Sequence, residues 1–183
     1  MAIICVFDLD GTLWEENSHV EIVGKYRYGK FYSVMRPFEK IIAHFRPKEY
    51  QKYLNASFEK IPVEFVKTYP YQYRNDALKE LEKRRKEGNS LLILSNAPPI
   101  VAQIAAKKVQ VEYLSAEIGE KDKALIKRFP RWDKLVVVTD NLSDANLLLL
   151  ADEAIIYTPR KRKKKFETLG LKKTVCYRSS ILK

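Results

Sequence analysis

The segment Ile3-Ile4-Cys5-Val6-Phe7-Asp8-Leu9-Asp10-Gly11-Thr12-Leu13 sets the frame for everything after it. Five apolar residues, three of them β-branched, run straight into two acids and a glycine. That pattern is a strand buried on both faces that stops abruptly in a loop. The same pattern recurs at Leu91–Ser95, Leu135–Thr139, Ala154–Tyr157 and Thr174–Tyr177. Helical patterns lie between the runs: Asn75–Glu87 ahead of Gly88, Pro99–Lys108 with proline in its first turn, Lys123–Phe129, and Ser143–Ala151. Continuous apolar strands alternating with helices predict a doubly wound, mostly parallel Rossmann-like α/β sheet.

Residues 15–73 break the alternation. They show few β-like runs and read as short helices interrupted at Gly24, Gly29, Pro37, Pro47 and Pro62. Thirteen of the chain's 21 aromatic residues fall between Tyr26 and Tyr73. The expected organisation is an α/β core of residues 1–14 and 74–183, with a small helical insertion after the first strand.

Composition narrows the functional classes. With 46% hydrophobic and 31% charged residues, the 183-residue chain is globular and not disordered. Two cysteines, Cys5 and Cys176, exclude a disulfide scaffold and a four-cysteine zinc site. No apolar run approaches the roughly 18 residues that span a bilayer. The apolar start lacks a basic leader region, so a cytoplasmic protein without membrane attachment is expected, as a monomer or small homo-oligomer. The net charge of +11 is uneven. Residues 158–183 hold ten Lys and Arg against the single acid Glu167, a net of +9, which leaves +2 for the other 157 residues. Six of those cations are consecutive, Arg160–Lys165.

Three strand ends carry polar pairs: Asp8 and Asp10, Ser95 and Asn96, Asp140 and Asp144. In parallel α/β sheets the ligand crevice lies beyond the carboxyl ends of the strands, so these residues are expected to meet. Each pair alone could be a loop acid or a helix cap; three at successive strand ends point to one site. Four carboxylates at one point need a cation. Oxygen donors without a histidine or cysteine cluster suit Mg²⁺, which binds phosphate oxygens readily and implies a phosphorylated substrate.

The motif Asp8-Leu9-Asp10-Gly11-Thr12 resembles the signature of the haloacid dehalogenase-like superfamily of phosphohydrolases. Val136–Asp144 is similar to the last motif of that family, an apolar strand ending in acids, and Leu91–Ser95 to its second. The insertion resembles the helical cap of the phosphoserine phosphatase-like branch. Thr139 departs from the family pattern, where glycine is common. The resemblance implies a phosphatase in which Asp8 attacks phosphorus to give an aspartyl-phosphate. Asp10 would be the general acid and then the base for the hydrolytic water. Mg²⁺ would be held by Asp8, the Asp10 backbone carbonyl and Asp140, with Asp144 direct or through water. The Ser95 hydroxyl and the Asn96 N–H would hold the phosphoryl oxygens. The family also uses one lysine; Lys121 and Lys123 are the candidates, and Lys123 is preferred as the better helix start. His19, His44, Arg27, Arg36 and Arg46 read as packing or surface residues. The expected reaction is hydrolysis of a small phosphorylated metabolite. A phosphatase acting on nucleotide or nucleic-acid ends through Arg160–Lys165 is the runner-up, and a basic binding module with little catalysis the third reading.

Overall fold

Six parallel strands account for every apolar run in the sequence and add one short strand. The computed structural model describes residues 2–171 and 174–179. Lys172, Lys173 and Lys183 of the basic end lie outside them. The strands are β1 Ile3–Phe7, β2 Ser90–Ser95, β3 Glu112–Ser115, β4 Lys134–Thr139, β5 Glu153–Thr158 and β6 Thr174–Ser179. Their order is β3-β2-β1-β4-β5-β6, and every neighbouring pair is parallel. The order reverses direction between β1 and β4, where a doubly wound sheet opens its ligand crevice. Phe7 is level with Ile93 and with Val138, so the ends of β1, β2 and β4 come out side by side.

The chain divides into two compact units, residues 1–15 with 72–183, and residues 16–71. In the first, alternate residues of each strand face opposite sides. Ile4, Val6, Leu92, Leu94, Leu135, Val137 and Ile156 pack in one cluster with Leu125, Leu147, Leu148 and Phe166. These last four come from α7 Lys121–Arg128, α8 Ala145–Leu150 and α9 Lys163–Glu167. The opposite face buries Cys5, Phe7, Ile93 and Val138 completely. Helices α5 Asn75–Lys86 and α6 Pro99–Val109 contact β2, and their apolar residues Leu81, Val101 and Ala105 are likewise fully buried. Each such aliphatic side chain contributes roughly 1.5–3 kcal/mol relative to exposure.

The second unit holds α1 Ser18–Tyr28, α2 Tyr32–Phe45, α3 Pro47–Phe58 and α4 Val63–Thr68. Asn17 caps α1 by accepting from the Val20 N–H at 3.0 Å. Gly29, Pro47 and Pro62 mark boundaries as expected, but Gly24 and Pro37 lie inside helices. Gly24 serves packing: a Cβ there would sit 2.0 Å from the Tyr32 ring. Pro37 costs α2 one backbone hydrogen bond without ending it. Arg27 donates to the Tyr53 hydroxyl, Arg36 pairs with Glu21 at 2.9 Å, and the His19 ring packs edge-on against Phe58. Among the described residues no helix is long and apolar enough to cross a membrane.

Candidate active site

At the end of β1 the Asp8 N–H extends the ladder one step, donating to the Val138 carbonyl at 2.8 Å. The chain then turns back tightly. Thr12 and Trp14 both donate backbone N–H groups to the Leu9 carbonyl, at 3.2 and 2.9 Å. Gly11 makes this turn feasible. Its φ is +75°, and a Cβ would lie 2.2 Å from Asp140 Oδ2, so only glycine lets β4 bring that carboxylate against the loop.

The Asp8 carboxylate is buried. Its Oδ1 accepts from the Leu9 N–H at 2.8 Å and from Lys121 Nζ at 2.7 Å. Lys121 opens α7 and is only 2% exposed. The same ammonium donates to Asp144 Oδ2 at 2.9 Å, bridging the ends of β1 and β4. Asp144 closes a 3₁₀ turn, Leu142–Asp144, just before α8. Thr139 is buried and donates its hydroxyl to Asp144 Oδ2 at 2.6 Å, while accepting from the Asn141 N–H at 3.1 Å. The residue that departs from the family pattern thus orients one of the carboxylates. Thr12, fully buried, donates to Asp140 Oδ1 at 3.3 Å.

Ser95 ends β2 one residue beyond the level of Asp8 and is buried; its Oγ accepts from the Ala97 N–H at 3.1 Å. Asn96 donates its side-chain amide to the Ala116 carbonyl at 2.7 Å, which ties this loop to the one after β3. Asp10 is half-buried in the turn, bridged to Trp14.

The preference for Lys123 is overturned here. Its side chain is 69% exposed and pairs with Glu120 at 2.7 Å. Two residues are about 200° apart on an α-helix, so when Lys121 points at the strand ends Lys123 points away. The helix starts at Lys121, two residues earlier than the apolar pattern suggested. Thr12 and Thr139, which carry no charge to mark them in the sequence, also join this cluster through Asp140 and Asp144.

Electrostatically the cluster is short of positive charge. Burial, followed by repulsion from Asp8, pushes the Asp140 carboxyl up to about 7. Burial raises Asp8 as well, with Asp144 adding repulsion and Lys121 opposing both. Lys121 is held above its ordinary value: burial disfavours its charge, but Asp8 and Asp144 more than compensate. Asp144 Oδ1 is buried with no hydrogen-bond partner among the described residues. Three carboxylates against one ammonium, and a buried oxygen without a donor, fit a divalent cation. Among the described residues no three potential ligands converge on one point. Mg²⁺ does not need this, since it binds through one or two carboxylates and keeps water and phosphate oxygens as its other ligands.

The comparisons bear on the fold and the family. The chain's fold is similar to that of a protein of unknown function from Bordetella pertussis Tohama I, at 13% identity and TM-score 0.74 over 96% of this chain and 98% of that one. It is also similar to a phosphoserine phosphatase solved as a phospho-aspartyl intermediate analogue, at 14% identity and TM-score 0.66 over 96% and 93% of the chains. A phosphoserine phosphohydrolase-like protein from Francisella tularensis subsp. tularensis SCHU S4 matches at 17% identity and TM-score 0.62 over 96% and 95%. No curated protein matches the sequence. The family model for haloacid dehalogenase-like hydrolases matches residues 5–149, most of the chain and the ends of β1, β2 and β4, and the chain belongs to that family.

Proposed function

We propose that this enzyme is an Mg²⁺-dependent phosphatase that hydrolyses a phosphomonoester through an aspartyl-phosphate on Asp8. The observation that carries this reading is the buried Lys121 bridge at the strand ends, 2.7 Å from Asp8 and 2.9 Å from Asp144. An ammonium at that place neutralises charge between a carboxylate nucleophile and an incoming phosphate. The Asp8 carboxylate attacks phosphorus, a new P–O bond to Asp8 forms, and the ester P–O bond breaks. Asp10 gives its proton to the departing oxygen. It then takes a proton from the water that attacks the aspartyl-phosphate, which restores Asp8 and releases phosphate. The Ser95 hydroxyl and Asn96 N–H hold phosphoryl oxygens. Asp8, Asp140 and the Asp10 carbonyl would hold Mg²⁺, with Asp144 direct or through water; when bound, the ion offsets the charge of carboxylates and phosphate. Thr139 and Lys121 keep Asp144 in place. On this reading the helical insertion, residues 16–71, serves as a cap.

The test is hydrolysis of a chromogenic aryl phosphate with Mg²⁺ and with chelator. Wild type should turn over only with the metal and should carry a hydroxylamine-labile phosphoryl label. Asp8→Asn should fold normally, with no turnover and no label. Metal-independent turnover, or a labelled Asp8→Asn protein, would overturn the proposal.

A further inference from the structure

The basic run Arg160–Lys165 has a place in the fold that the sequence alone could not give it. Strand β5 is parallel to β4 and β4 to β1, with Phe7 level with Val138 and Val138 level with Ile155. Asp8 is therefore level with Ile156, and β5 leaves the sheet at Thr158 on the same edge. Two strand spacings separate β1 from β5, about 10 Å. The six cations emerge directly past this edge, in a 3₁₀ turn, Arg160–Arg162, followed by α9.

The run is a fixed ledge. The Arg162 N–H donates to the Pro159 carbonyl at 2.8 Å, and the Thr168 N–H to the Lys164 carbonyl at 3.1 Å. Phe166, 1% exposed, pins α9 into the core cluster with Leu169 and Leu171 packed beside it. All six cationic side chains are exposed. Lys163 pairs with Glu167 at 3.5 Å and stands over the Tyr177 ring. No acid occurs between Glu153 and Glu167. Solvated helix surfaces usually alternate charge; an unrelieved cluster repels itself and is stabilised by a polyanion.

We infer that the phosphomonoester hydrolysed here is the terminal phosphate of a nucleic-acid strand whose neighbouring phosphates lie along Arg160–Lys165. This rests on the phosphatase reading above and adds the class of substrate, reversing the expectation of a small metabolite. The length of the ledge favours it. The three 3₁₀ residues and the three cationic residues of α9 span about 10 Å, the reach of roughly three phosphates at 3.4 Å per nucleotide. A metabolite with a single phosphate, held at the strand ends, would leave it unused. A membrane surface is disfavoured, because the large apolar side chains of this segment, Phe166, Leu169 and Leu171, are directed at the core and not outward.

The experiment compares kcat/KM for a short single-stranded oligonucleotide carrying a 5′ or 3′ terminal phosphate with that for an aryl phosphate. It uses wild type and the triple variant Lys163→Ser/Lys164→Ser/Lys165→Ser. The oligonucleotide-to-aryl ratio should fall at least tenfold in the variant. The salt dependence of the oligonucleotide KM should flatten by about 2 in log–log slope, at about 0.7 per phosphate contact. An unchanged ratio and slope would overturn the inference. So would stronger binding of the wild type to phosphatidylserine vesicles than to the oligonucleotide, lost in the variant. Should the triple variant fail to fold, Arg160→Ser/Lys161→Ser gives the same readout. Absence of turnover on both substrates sinks the phosphatase reading itself. Turnover of the aryl phosphate alone sinks only the substrate class.

Discussion

Lys121 and Lys123 carry the same charge two positions apart, yet the fold gives them opposite fates. Lys121→Met should lower turnover by at least about 10²-fold, because it removes the ammonium held between Asp144 and Asp8, the proposed nucleophile. Lys123→Met should leave turnover within about twofold, since that side chain is solvated and pairs with Glu120 on the helix surface. Steady-state rates of both variants decide the assignment. Asp8, Asp10, Asp140, Asp144, Ser95 and Asn96 could be nominated from the sequence because each sits in a contiguous run where an apolar strand meets polar residues. The lysine was not, because its identity depends on the phase of a helix whose first turn is charged. Asp140 offers a second test. In metal-free protein its carboxyl is raised from 3.8 to about 7, chiefly by burial and by Asp8. The folded state then holds more protons than the unfolded state between those values, so stability falls as pH rises across that window. In chelator, Asp140→Asn should melt higher than wild type at pH 8 and close to it near pH 4. In saturating Mg²⁺ the order should reverse, since the ion binds only the native wild-type site. Melting curves at two pH values, with and without metal, read the crossing.

Among the elements, α5 is tied to the sheet through charge as well as packing. Arg84, 7% exposed, pairs with Glu80 at 2.8 Å and also with Glu153 on β5. Glu153 accepts from Lys134 at 2.9 Å, and Arg178 on β6 also engages Glu80. Burial pushes Glu80 and Glu153 up, but these cations more than offset it and hold both below the ordinary value of 4.5. Depressed carboxylates contribute stability that is present above their unfolded pKa and is lost as pH falls through the folded one. Arg84→Met should therefore cost about 3 kcal/mol at pH 7, because it leaves carboxylates buried without their partner. The gap to wild type should narrow below about pH 4; urea titrations at pH 7 and pH 3.5 would show a constant gap if the network did no more than pack. The element the sequence concealed is β3. Glu112–Ser115 has four residues, Tyr113 and Leu114 alone among them apolar, and it lies at the sheet edge. Nothing in so short a segment marks a strand; pairing with Leu92–Ser95 makes it one.

At the scale of the molecule, the sheet was legible because buried parallel strands read as unbroken apolar runs. The insertion was legible through their absence, and its division from the core falls at residues 15–16 and 71–72. The position of the basic end was not legible, because sequence distance says nothing about which edge of a sheet a segment leaves. Strand register supplied it. That register has a further consequence during synthesis. β1 is one of the two central strands, yet its neighbours are β2, beginning at Ser90, and β4, beginning at Lys134. A ribosome adding 5–20 residues per second needs on the order of 4–17 s to pass from Phe7 to Ser90. Throughout that interval Ile3–Phe7 is an apolar, β-prone segment with no strand to pair with, the kind of stretch that seeds aggregation. The acids immediately after it, Asp8 and Asp10, then act as gatekeepers, placing like charges where two nascent chains would stack. The two carboxylates thus place charge beside this strand before any of the fold exists.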